Sequence, residues 1–94
     1  MNLIKGFKRR KQESQKSKFY NYIKNAKDEL KNMKGSGEAI YHSAKIHGAL
    51  DLAKSMGLID LCTQADIGNE VDDILTRVLN IIQNEQNLKP NIME

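Results

Sequence analysis

The sequence predicts an all-α fold, a small bundle of three main helices with a short fourth between the second and third as an alternative. Three observations carry this. A single proline, Pro90, leaves almost the whole 94-residue chain free to be helical. Apolar residues recur at spacings of four and three in two long segments, the signature of one helix face. Glycines at 35, 37 and 57 fall where those patterns break.

The first segment, from Met1 to Lys18, is strongly basic, and residues 8 to 18 contain no apolar side chain. A helix there buries nothing, so it is expected as a solvated basic arm or helix extension. From Phe19 the pattern changes. Phe19, Ile23, Ala26, Leu30 and Met33 lie on one stripe that Tyr22 widens, while Lys24, Lys27, Lys31 and Lys34 fall mostly away from it. The helical domain is therefore placed at residues 19–86 and a frayed polar tail at 87–94.

Gly35-Ser36-Gly37 ends the first helix, and Ser36 can cap the second, expected over residues 38–56. Its stripe reads Ile46, Ala49, Leu50, Ala53 and Met56, with Ala39 and His42 upstream. Gly48 in mid-helix costs about 1 kcal/mol relative to alanine, which a close crossing by another helix would explain. Gly57 followed by Leu58 is a helix stop. In residues 58–68, Asp60 can cap a short turn, and Thr63 or Asp66 can cap the last helix. That helix has the strongest pattern: Ile67, Val71, Ile74, Val78 and Ile81 in one row, Leu75, Leu79 and Ile82 beside it. So many large aliphatics exceed one neighbour's needs, and a core of this size gains from assembly. A homo-oligomer held through Ile67, Val71, Ile74, Leu75, Val78, Leu79 and Ile82 is expected.

Little in the sequence points to catalysis. His42 and His47 stand about 140° apart on a helix, so they do not chelate one ion from one face. Glu38 and Asp51 lie one turn from them and make ordinary solvated pairs. Ser43 precedes His47 by one turn, but no oxyanion site or orienting group accompanies it. The segment after Gly35 lacks the lysine and hydroxyl of a phosphate loop. Cys62, the one cysteine, reads as a small core residue and permits no internal disulfide. No cofactor, metal site, small-molecule substrate or enzymatic activity is expected.

Charge is the remaining signal. Residues 1–34 hold eleven lysines and arginines against Glu13, Asp28 and Glu29, a net of +8, while residues 35–94 carry a net of −5, giving +3 overall. A basic arm on a mildly acidic body suits a macromolecular partner met through Lys8, Arg9, Arg10, Lys11, Lys16 and Lys18. The first expectation is a regulatory or inhibitory protein that docks on an acidic protein surface. The alternative is nucleic acid, with backbone phosphates on the arm and bases near Phe19, Tyr20 and Tyr22. A helix-turn-helix reading, taking residues 39–56 with the segment after Gly57, offers only Thr63 and Gln64 for base contacts, beside aspartates that repel phosphate. Weak lipid-surface contact through Leu3, Ile4 and Phe7 is a third possibility. With no apolar signal segment and no run of about 20 apolar residues, a cytoplasmic protein is expected. The composition is of the kind seen in small bacterial or phage accessory proteins, and no motif ties it to a family.

Overall fold

Three α-helices pack together in the computed structural model, which describes the backbone of residues 2–88 and the side chains of residues 14–86. They are α1 (Asn2–Lys31), α2 (Ser36–Ser55) and α3 (Leu61–Leu88), and there is no strand among the described residues. The tail from residue 89 onward lies outside them. No described helix is long and apolar enough to cross a membrane.

The core is one cluster fed by all three helices. Ile23 and Leu30 come from α1, Ala39, Ile46, Leu50 and Ala53 from α2, and Val71, Ile74, Val78 and Ile82 from α3, with Ile59 closing it from the α2–α3 turn. The α2–α3 contact is the most extensive, and α1 rests on both. On α1 the core begins at Phe19, which packs edge-to-face on Tyr20 with ring centroids 5.5 Å apart. Of the described side chains ahead of it, Ser14, Lys16, Ser17 and Lys18 are exposed and Gln15 is half-buried. This agrees with the change in pattern at Phe19.

Each helix end has a local cause. α1 stops before the glycines: Asn32 Nδ2 donates to the Asp28 carbonyl at 2.9 Å, and the Asn32 and Met33 amides turn back to Glu29 and Leu30. The first turn of α2 starts from Gly35 in extended conformation, with no side-chain cap, so Ser36 is the first helical residue and not the cap. Gly57 (φ 76°) ends α2 as expected. The Leu58 amide bonds the Ala53 carbonyl and the Gly57 amide that of Lys54, a Schellman pair that needs a left-handed residue.

The short fourth helix is absent. Asp60 caps α3 itself, its Oδ1 accepting the Thr63 amide at 2.7 Å, so residues 61–68 are the opening turns of one continuous helix. Cys62 sits there exposed, outside the core where the sequence placed it.

Three further differences concern which face of a helix is covered. Tyr22 and Met56, placed on core stripes by spacing, are exposed, as is Ile81 at 56%. Ile82 takes the core position instead. Around Ile81 and Ile82 stand Lys31 and the turn residues up to Lys34, which leave Ile81 open to solvent. Gly48 lies open, with space around the position a Cβ would take. The close approach is at Gly68, where an added Cβ would come within 3.2 Å of the His47 ring. Finally, α2 is apolar on two sides: its outward face exposes Tyr41, Leu52 and Met56, with the Lys45 ammonium 5.6 Å from the Tyr41 ring centroid.

Candidate functional site

The polar side chains divide into those that tie helices together and those left for solvent. His47 Nε2 and Asp72 Oδ1 lie 2.8 Å apart across the α2–α3 seam, where Gln64 also donates to Asp51. Across α1–α2, His42 Nε2 and Glu29 Oε2 are 3.0 Å apart, and Lys27 pairs with Glu70 across α1–α3. Both histidines thus find partners on a neighbouring helix, in place of Glu38 and Asp51 on their own. The helices are oriented by their apolar stripes, and that orientation turns each imidazole over a seam. Ser43, one turn from His47, is buried.

Five of the ten described acidic side chains are used in this way. Glu29, Asp51, Glu70 and Asp72 hold seams. Asp60 holds a helix end, and the Thr63 amide, helped by the Thr63 hydroxyl, keeps its carboxyl below the ordinary aspartate value. The basic side chains are not used up. Lys16, Lys18, Lys24 and Lys31 are exposed along α1 and belong to no ion pair among the described residues.

No family model, curated protein or solved structure matches this chain. The site therefore rests on its own geometry. Of the six residues expected to meet a partner, Lys16 and Lys18 are exposed on α1, while the side chains of Lys8, Arg9, Arg10 and Lys11 lie outside the described residues. Leu3, Ile4 and Phe7 lie outside them too.

Of the residues expected to hold a second copy, Val71, Ile74, Val78 and Ile82 are buried in the chain's own core, and Ile67, Leu75 and Leu79 are half-buried against it. A stripe facing α1 and α2 looks the same in sequence spacing as one facing another subunit.

Three surface features were not singled out from the sequence. One is a hollow of about 360 Å³ between α1 and α2, where Tyr22, Asn25 and Lys45 stand around the Glu29–His42 contact. Another, of about 320 Å³, lies on the α2–α3 seam around His47, Gln64 and Asp72. The third is a pair of adjoining hollows along α1–α3, of about 200 and 150 Å³, which share Lys31 and Ile81. The signal for the third was present: Ile81 continues an apolar row on α3. Among the described residues no group of three or more His, Cys, Asp or Glu side chains is placed to hold a metal ion.

Proposed function

We propose that this chain is a non-enzymatic binding module, cytoplasmic and regulatory in role, that engages an acidic macromolecular partner, in the first place a protein surface, through α1. The observation that carries this is the row of unpaired cations on α1: Lys16, Lys18, Lys24 and Lys31 are exposed along one helix and belong to no ion pair among the described residues. Unpaired cations on a rigid helix steer an oppositely charged partner and favour its orientation. Lys8, Arg9, Arg10 and Lys11 extend the same basic run in the sequence.

A second reading, nucleic acid, is favoured by one observation. Tyr20 and Tyr22 are 45% and 43% exposed between the lysines, so their rings are not consumed by the core and can stack on bases.

The test is a pair of anisotropy titrations at physiological salt, one with labelled polyglutamate and one with labelled single-stranded and duplex DNA. Wild type is compared with a variant carrying alanine at Lys8, Arg9, Arg10, Lys11, Lys16 and Lys18. Binding of polyglutamate that the variant loses, with DNA held only at low salt, is the expected result. DNA binding that persists at physiological salt and is lost in the variant would transfer the proposal to nucleic acid. Binding of neither would overturn both.

A further inference from the structure

The α1–α3 seam has features that the basic character of α1 does not account for. Below the Lys27–Glu70 pair it opens into a hollow of about 200 Å³ lined by Ile74, Val78 and Ile81, with Lys31 and Arg77 on its rim and no carboxylate. It continues into a second of about 150 Å³, where Met33 and Lys34 join Lys31 and Ile81, and Glu85 is the one acidic residue. An exposed aliphatic side chain alone carries no information. Ile81 is different in being the open end of a continuous apolar floor that leads into the core.

We propose that this seam is the docking groove for an acidic amphipathic helix of a protein partner. Its apolar side chains would seat against the exposed Ile81, over the nearly buried Ile74 and Val78 at the bottom of the hollow, and its carboxylates would meet Lys31, Lys34 and Arg77. The inference rests on α1 being the partner-facing helix and says where on its flank the partner lies. Ile74, Val78 and Ile81 are spaced by four and three residues, the same spacing at which a partner helix presents its own anchors. Three cations against one carboxylate select an acidic ligand.

The same charges disfavour other occupants. In a two-fold interface through this patch, Lys31, Lys34 and Arg77 would face their own copies, and like charges at close quarters oppose association. A nucleic acid satisfies the cations and leaves the aliphatic floor with no use.

The probe is a labelled peptide about four turns long, leucine at positions i, i+4, i+7 and i+11 and glutamate elsewhere. Its controls are a scrambled peptide of equal composition and polyglutamate. Wild type is expected to bind the amphipathic peptide about tenfold more tightly than the scrambled one. Ile81→Ser, and Lys31→Ala with Arg77→Ala, should each remove that preference with an unchanged circular dichroism spectrum. Lys16→Ala with Lys18→Ala should weaken both peptides alike. Equal affinity for ordered and scrambled peptides, or full affinity in Ile81→Ser, would overturn the groove and leave the basic-helix proposal standing. Failure to bind any acidic peptide would overturn both. Sedimentation of the free protein should give a monomer; a dimer that Ile81→Ser dissociates would assign the groove to a second copy and overturn the proposal.

Discussion

On the side of α3 that faces α2, Gly68 lies against His47, His47 meets Asp72 and Gln64 donates to Asp51, and a hollow of about 320 Å³ beside these contacts is lined mostly by polar and small residues. On the side that faces α1, Lys27 to Glu70 is a single tie, and beyond it the helices part around Lys31, Arg77 and Ile81. One helix therefore has a flank tied by several polar contacts and a flank with an aliphatic, cation-rimmed hollow. The second lies where α1 gives way to the turn that follows it, with Lys31 to Lys34 beside Ile81 and Ile82.

Breaking the shared core should have the largest effect. Val78→Asp buries an unpaired charge, which costs several kcal/mol. A domain of this size has only about 5–10 kcal/mol in total, so loss of the helical signal in circular dichroism is expected. A folded protein would mean that Val78 is not in the core.

The two mid-helix glycines sharpen the contrast. Gly48→Ala places a methyl in open space and gains helix propensity, so it should stabilise by about 1 kcal/mol and raise Tm. Gly68→Val forces a branched side chain against His47 and should cost about 1–3 kcal/mol. Equal effects of the two changes in urea titrations would show that the α2–α3 approach is not close at Gly68.

Acid should act on the α3 cap. Because the folded-state value of Asp60 is lowered, its contribution is present above the ordinary aspartate range and is lost as pH falls through the lowered value. Asp60→Asn retains a capping oxygen that does not titrate. Its Tm should fall less steeply than wild type through the acid range, and parallel profiles would remove Asp60 from the acid response.

The smallest stability effect belongs to the open flank. Ile81→Ser should change unfolding free energy by no more than about 0.5 kcal/mol. A larger loss would show that Ile81 is covered in the free protein.

Elements whose cause is local were legible in the sequence. Gly57 stops α2 because its backbone is left-handed, and the four-three spacing of Val71, Ile74 and Val78 sets the inner face of α3. Features that depend on a neighbour were not. Ile81 and Ile82 differ in burial because only Ile82 turns into the core, while Ile81 faces the hollow beside the end of α1. Gly48 and Gly68 are equally plausible crossing points until the seam is seen. His42 and His47 reach across seams because the core orients the helices, and α2 carries an apolar outer face that makes its inner one hard to choose. For the candidate site, the basic character of α1 was legible, whereas the groove beside it needs Arg77 and Lys31 from two helices.

Backbone amide shifts of isotope-labelled protein titrated with the acidic amphipathic peptide would test the contrast between the two flanks most directly. Shifts should concentrate at Lys31, Lys34, Ile74, Arg77, Val78 and Ile81, with His47, Gly68 and Asp72 unmoved. Shifts centred on the α2–α3 seam, or spread evenly along the basic residues of α1 with Ile81 silent, would contradict it.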